Sequence, residues 1–132
     1  MQAQVRSRLP GCAEHVRFVA PTPTPERYMA AADVLCLPSP REGFGSVIIE
    51  AAACGCPCVA SRIYGVTDAV DEGRGGLLHP PGDVTALRQC LEQLAGDPGL
   101  VARLGRGARE RVEKLFPEQR ITDGLAAFYH AL

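Results

Sequence analysis

Short runs of apolar residues alternate with stretches of helical spacing along the first part of the chain. Four of these runs are short enough to be strands, at residues 16–20, 34–37, 57–61 and 76–78. Helices are predicted between them, from Pro25 behind the cap Thr24 to about residue 32, and over 46–54 with Gly55 at the end. Apolar strands that alternate with helices are typical of a parallel sheet covered on both faces. The pattern therefore predicts an α/β fold with a doubly wound parallel sheet.

The remaining part of the chain has a helical period throughout. Apolar residues recur at helical spacing over 84–94 and again over 100–115, and the cap Asp97 with Pro98 opens the second stretch. A third helix is predicted from Pro117, with an apolar face of Ile121, Leu125, Phe128 and Leu132. One helical turn is also expected at residues 68–71. Apolar stripes of this kind are core faces rather than cofactor sites.

The number of predicted strands is low for a sheet of this class. A short helix at residues 2–9 precedes the first strand, and no strand is predicted before it. Doubly wound sheets commonly have about five or six strands. We therefore expect residues 1–132 to form a single domain that is incomplete at its N-terminal side, the back part of a larger Rossmann-like domain that lacks its first strands.

Composition excludes several classes of partner. The formal net charge is −1 at pH 7, so a basic footprint for nucleic acid is absent from the sequence, and no polybasic membrane patch is present. The longest apolar run falls far short of the roughly 20 residues that a membrane-spanning helix needs. The polar N-terminus lacks the apolar core of an export signal. A cytoplasmic protein is expected.

Six cysteines raise the question of disulfides or a metal. Cys36, Cys54, Cys56 and Cys58 fall in apolar, core-like runs, which favours reduced, buried thiols in a reducing compartment. The C-x-C-x-C spacing is tighter than usual zinc pairs, and no second pair follows. His15, His79 and His130 are scattered without ligand spacing, so no metal site is predicted.

The candidate chemistry is concentrated between two predicted strands, at residues 38–61. Ligands in open parallel sheets bind beyond the carboxyl ends of the strands, and the loops 38–45 and 61–68 both leave strands at that edge. Gly43 and Gly45 let backbone amides approach a ligand closely. The helix that begins at Ser46 presents free N–H groups and a partial positive charge, which suits a phosphate.

Two carboxylates accompany this helix start. Glu50 lies one to two turns into the helix and can accept two hydrogen bonds from a vicinal diol such as a ribose. Glu42 lies in the loop and can accept from another hydroxyl group. A diphosphate between two hydroxylated rings is the chemistry of a nucleotide sugar. A plainer interpretation stays open, in which Glu42 is a solvated loop residue and Glu50 pairs with Arg41 or Arg62.

The string EGFGSVIIEAAACGCPCVAS resembles the signature of group 1, or family 4, glycosyltransferases of the GT-B fold. The pattern has two glutamates separated by seven residues, Gly-Phe-Gly after the first, and a Gly-x-Pro strand after the helix. The matching residues are Glu42, Gly43, Phe44, Gly45, Glu50, Gly55 and Pro57. The preceding segment 30–39 and the following segment 63–83 are also similar to the family.

The resemblance implies a retaining transfer of a hexosyl group from a nucleotide-diphosphate sugar, a UDP-sugar being one form, without a cofactor or a metal at the diphosphate. Glu42 would contact the donor sugar as the catalytic carboxylate. Gly43, Phe44, Gly45 and Ser46 would offer amides to the donor, and Glu50 would hold the ribose hydroxyls. Residues 19–22 would lie near the base.

The chain departs from the family pattern at several positions. Ala20 and Tyr64 stand where the family usually has glycine, and Asp68 stands where it usually has glutamate. In the family the active site lies between two domains. The acceptor domain and the basic pair that clamps the diphosphate would lie in a missing N-terminal part, as would any peripheral membrane contact.

The sequence thus predicts the C-terminal donor-binding domain of a glycosyltransferase of polysaccharide biosynthesis, with the isolated chain inactive. The alternative is a non-catalytic Rossmann-like module that binds a nucleotide or associates with itself through its sheet edge. A sugar-phosphate enzyme of another class, such as an epimerase, is a third interpretation, but no catalytic His or Cys is placed to support it.

Overall fold

A computed structural model describes residues 2–9 and 11–117 of the chain. The helices are α1 (Gln2–Ser7), α2 (Pro25–Ala31), α3 (Ser46–Ala53), α4 (Val84–Gly96) and α5 (Pro98–Leu115), with a 3₁₀ turn at Ala13–His15. The strands are β1 (Leu35–Leu37), β2 (Cys58–Ser61) and β3 (Gly76–His79). Helices and strands alternate through most of this range, as the apolar pattern predicts.

The three strands form one parallel sheet in the order β1-β2-β3. Leu35 is opposite Cys58 at the start of the first pair, and Ser61 is opposite His79 at the end of the second. Because the strands are parallel, the segments that follow them all leave at the same edge of the sheet. That carboxyl edge is where the sequence places the candidate site.

Helices cover both faces of the sheet. On one face α3 and the turn after β2 enclose a core of Ile48, Cys58, Ala60, Val66, Ala69 and Val70. On the other face α4 and the first half of α5 pack against Val59, with Leu94, Leu100 and Leu104 buried there. Alternate residues of β2 therefore supply the two cores, as the two-residue period of a strand requires. The predicted doubly wound α/β fold is confirmed.

Helix α5 packs closely against the amino edge of the sheet, the edge at which the strands begin. A Cβ added to Gly105 would overlap the carbonyl oxygen of Gly55, and one added to Gly107 would overlap that of Arg74. Gly55 and Arg74 both precede strands, so this crossing lies opposite the candidate site. Because α5 also packs on α3, it contacts elements on both faces of the sheet.

Two of the described helices begin at an aspartate cap. Asp83 and Asp97 each accept a hydrogen bond from the third following N–H group, at 2.9 Å, and begin α4 and α5. Thr24 precedes α2 as predicted, although its side chain makes no capping hydrogen bond to that helix. Val84 differs from the predicted apolar face, since 76% of it is exposed in the first turn of α4.

Two predicted elements are wrong. Residues 16–20 form no strand, because no strand among the described residues pairs with them, and Val19 is 55% exposed. The helical turn expected at 68–71 lies earlier, where Val66 accepts from the N–H of Val70 in a run of turns over 64–69. The predicted helix from Pro117, with Ile121 to Leu132 on one face, lies outside the described residues.

The cysteines agree only in part with the expected buried set. Cys56 and Cys58 are buried, Cys54 is half-buried, and Cys36 on β1 is exposed. All six cysteines are free thiols. Among the described helices, none combines the length and the apolar character needed to cross a membrane.

Candidate functional site

The loops that follow β1 and β2 meet at the carboxyl edge of the sheet. Gly65, in the loop after β2, has a φ of +85° and lies so close to the loop after β1 that an added Cβ would overlap the carbonyl oxygen of Gly43. The same Cβ would lie 3.0 Å from the carbonyl oxygen of Glu42. The parallel sheet therefore brings the two predicted loops together, and glycine is required at the point of contact.

The loop after β1 ends in a helix start that is open to a ligand. Gly45 is the N-cap of α3 with φ 65° and ψ 42°, a left-handed conformation that favours glycine. Its carbonyl oxygen accepts from the N–H of Ile48 at 2.9 Å. Among the described residues, no side chain caps the helix, and no acidic residue lies in its first turn. The N–H groups of Ser46 and Val47, which precede the bonded Ile48, are thus available to bind an anion.

The two carboxylates occupy different surroundings. Glu42 is half-buried in the loop beside Gly65, whereas Glu50 is exposed on α3, one turn beyond Ser46. Within residues 2–9 and 11–117, neither carboxylate takes part in an ion pair. The predicted alternative that Glu50 pairs with Arg41 or Arg62 is therefore not seen in the structure.

Arg62 is already engaged by another carboxylate. Its Nη1 donates to Oε2 of Glu72 at 2.7 Å, and its Nη2 donates to Oε1 of the same residue. This fork raises the pKa of Arg62 and holds the pKa of Glu72 below its ordinary value. Because both donors of the fork are used, Arg62 is a poor candidate for a diphosphate clamp.

An aromatic contact supports the loop from the side. Phe44 is 49% exposed, and its ring packs against Phe116, which directly follows α5. The ring centroids are 6.0 Å apart and the planes are inclined by 68°, an edge-to-face arrangement. The loop of the candidate site is thus held both by the glycine contact from the β2 side and by this aromatic contact from α5.

Two polar residues of this edge were not predicted to be part of a site. Ser61 and His79, which end β2 and β3 as register partners, are both almost fully buried. The Oγ of Ser61 and the Nε2 of His79 have no hydrogen-bond partner among the described residues. His79 Nδ1 lies 2.8 Å from the carbonyl oxygen of Pro80. The sequence feature that could have indicated them is their position as polar residues at the ends of two apolar strands.

Within the described ranges, no group of three or more His, Cys, Asp or Glu residues is arranged to hold a metal ion. The three residues of the C-x-C-x-C run differ in burial, and burial raises the pKa of the Cys58 thiol to about 12. Such a thiol stays protonated and behaves as a small apolar core residue.

Comparison with known proteins identifies the family. The family described as glycosyl transferases group 1 matches residues 1–97, which include all three strands and both loops of the site. The D-inositol 3-phosphate glycosyltransferase of Jonesia denitrificans is 38% identical over 130 residues, 97% of this chain and 30% of that protein. The chain belongs to the group 1 glycosyltransferase family, and it spans about 30% of the length of this relative.

Solved structures confirm the fold class. Sucrose-phosphate synthase from Thermosynechococcus elongatus superposes with a TM-score of 0.84 at 34% identity, over 97% of this chain and 34% of that one. Anabaena HepE in complex with UDP gives a TM-score of 0.91 at 29% identity, over 98% and 36%. HepE has also been solved with UDP-glucose. These neighbours are GT-B glycosyltransferases with Rossmann-like domains, as the sequence predicts.

Proposed function

We propose that this chain is the donor-binding part of a retaining hexosyltransferase that uses a nucleotide-diphosphate sugar. The observation that carries the proposal is the close packing of the loop before α3 against Gly65. This contact lies beside the uncapped start of α3, at the carboxyl edge of the sheet. Membership of the glycosyltransferase family and a neighbour that binds UDP-glucose support the same chemistry. UDP is accordingly the first nucleotide to test.

The nucleotide end of the donor is assigned to α3. The amides of Ser46 and Val47, together with the partial positive charge of the helix start, stabilise the diphosphate and the charge that develops on it as it leaves. Because Glu50 lies one turn deeper and would repel the phosphates, its carboxylate is better used to accept hydrogen bonds from the two ribose hydroxyls. Exposure of Glu50 leaves it accessible for that role.

The sugar end of the donor is assigned to the loop. Glu42 is the proposed catalytic carboxylate at the sugar, and the amides of Gly43, Phe44 and Gly45 hold the sugar and the adjacent phosphate. An added Cβ at Gly43 would meet nothing within 4 Å, so its backbone is open to a ligand. The helix start supplies positive charge at the diphosphate, and we therefore expect activity to survive removal of divalent metal by a chelator.

Transfer itself needs an acceptor held within a few ångströms of the donor. The described residues offer one side of such a site, and the chain spans only about 30% of its relative. We therefore expect the 132-residue chain to bind a donor but not to transfer sugar, and we expect a longer protein to supply an acceptor domain. The six free thiols favour a cytoplasmic location, where thiols stay reduced.

Isothermal titration calorimetry with UDP, GDP and ADP tests the donor role. We expect one of the three nucleotides to bind. Glu50→Gln should weaken its binding about tenfold, because replacing a charged acceptor of the ribose hydroxyls with a neutral one costs roughly 1–2 kcal/mol. Glu92→Gln is the matched control, since Glu92 is an exposed helical glutamate on α4. Equal binding by wild type and Glu50→Gln would refute the ribose assignment.

One feature favours the alternative of a self-associating module. The sheet has β1 at its edge, and a groove of about 610 Å³ lies beside it, lined by Asp33, Val34, Leu91, Leu94, Ala95, Pro98, Val101 and Ala102. Exposed strand edges and apolar grooves are places where chains pair. A concentration-dependent dimer in sedimentation, together with no nucleotide binding, would favour this function over donor binding.

A further inference from the structure

Tyr64 is the most exposed large apolar side chain among the described residues. It is 85% exposed, although Gly65 and Val66 directly after it are buried. The turn is also held by hydrogen bonds, since the N–H of Val66 donates to the carbonyl oxygen of Ile63 at 3.2 Å. The exposure of Tyr64 is therefore a property of a packed turn and not of a loose segment.

The position of this turn is defined by its neighbour. Gly65 is pressed against the backbone of Glu42 and Gly43, as the close approach of its added Cβ shows. Tyr64 directly precedes Gly65 in this turn, with its Cα about 3.8 Å from that of Gly65. Tyr64 thus flanks the loop that the proposed function assigns to the donor sugar, and the turn also approaches the start of α3, where the carbonyl oxygen of Gly65 lies 3.7 Å from a Cβ added at Gly45.

No other aromatic ring among the described residues packs against Tyr64, whereas Phe44 is paired with Phe116. A tyrosine ring of this kind can still gain by covering an apolar face, while its hydroxyl stays in water. Tyrosine is for this reason frequent among residues that dominate binding. A pyranose ring presents such a face through its axial C–H groups, which a nucleoside diphosphate without the sugar does not carry.

We propose that the ring of Tyr64 packs against the hexose of the bound donor and so contributes to recognition of the sugar rather than the nucleotide. This inference rests on the proposed function, because it needs the donor sugar to lie at Glu42 and Gly43. Tyr64 acts here as a specificity residue with no part in bond making. Its contribution comes from the ring, so a phenylalanine at this position preserves it.

The test compares each nucleotide with and without its sugar. Calorimetry gives the dissociation constants of UDP and UDP-glucose, and those of GDP and ADP with their corresponding nucleotide sugars. Each is measured for wild type, Tyr64→Ala and Tyr64→Phe. We expect Tyr64→Ala to weaken the nucleotide sugar about three- to tenfold, while the bare nucleotide changes less than about twofold. Tyr64→Phe is expected to bind both as wild type does.

Tyr28→Ala is the matched control, because Tyr28 is 53% exposed on α2 and follows no strand. Equal weakening of nucleotide and nucleotide sugar by Tyr64→Ala would overturn the sugar contact, and so would no weakening of either. A rise only in the Michaelis constant for the acceptor of the longer enzyme would also overturn it. Wild type that binds none of the nucleotides would instead refute the proposed function and the Tyr64 contact with it.

Discussion

The ring of Phe44, in the loop after β1, stands edge-to-face on the ring of Phe116, with 6.0 Å between the centroids. Phe116 directly follows α5, the helix whose Gly105 and Gly107 lie against the opposite edge of the sheet. Helix α5 and the residue that follows it therefore contact the amino edge of the sheet and the loop of the candidate site. That loop is thus in contact with a residue far from it in sequence.

We expect this pair to be energetically coupled. Edge-to-face pairs contribute roughly 0.5–1.5 kcal/mol beyond their buried area, so a double-mutant cycle of Phe44→Ala and Phe116→Ala should show a coupling of that size. Urea denaturation of the four proteins measures it. Phe116→Leu keeps most of the apolar volume and controls for simple loss of burial. A coupling below about 0.3 kcal/mol would mean that the rings stabilise the protein independently.

Gly65 is the second point at which the loop is held. Alanine there would be strained by the positive φ and would also overlap the backbone of Gly43. We expect Gly65→Ala to lower the free energy of unfolding by about 2–4 kcal/mol and to weaken nucleotide binding. Thermal unfolding and calorimetry give the two values.

Gly73→Ala separates the two causes. Gly73 has φ +78°, close to that of Gly65, but an added Cβ there meets nothing within 4 Å. This variant should lose only about 1 kcal/mol from backbone strain and should bind nucleotide normally. If both variants lost the same stability and Gly65→Ala bound nucleotide as wild type does, the contact of Gly65 with the loop after β1 would not contribute to nucleotide binding.

Much of the fold follows from local patterns. The strands β1 to β3 are short apolar runs. Helix α5 begins at Pro98, directly after Asp97, whose carboxylate caps the helix. That the loops after β1 and β2 meet could also be predicted, because parallel strands end at one edge. Residues 16–20 show where such reasoning stops: a β-like run becomes a strand only if another strand pairs with it.

The candidate site contains relationships that no local pattern encodes. The contact of Phe44 with Phe116 and the pairing of Arg62 with Glu72 join residues 72 and 10 positions apart, and both depend on how helices and turns pack. Burial of Ser61 and His79 depends in the same way on the covering of β2 and β3. The roles assigned to Glu42 and Glu50 remain predictions, which the proposed binding experiments test.

The pair of Arg62 and Glu72 predicts a pH dependence. Arg62 holds the pKa of Glu72 below its ordinary value of 4.5, so the pair stabilises the fold above that pH. This contribution is lost as the pH falls through the lowered pKa. Since both side chains are nearly half exposed, solvent screening keeps the effect small.

Glu72→Gln should therefore melt on the order of 1–3 °C below wild type at pH 7, and the difference should shrink below pH 4.5 and vanish once the pH lies below the lowered pKa of Glu72. Melting curves by circular dichroism measure both values. Glu113→Gln removes another exposed ion-pair carboxylate, with Arg109, and serves as the comparison. A difference that persisted at low pH would show that Glu72 acts through packing and not through its charge.

Cys58 offers a chemical test of the core between α3 and the sheet. Burial raises the pKa of its thiol to about 12, and the thiolate is the form that reacts with iodoacetamide. In the native protein at about pH 8, we expect Cys58 to be alkylated at least tenfold more slowly than the exposed Cys12, by rough estimate. Peptide mass spectrometry reads out each site, and labelling in concentrated urea should make the two rates similar. Native rates that are already similar would show that the core around Cys58 opens freely, which is incompatible with the packing of Ile48, Ala60 and Val66 in the same cluster.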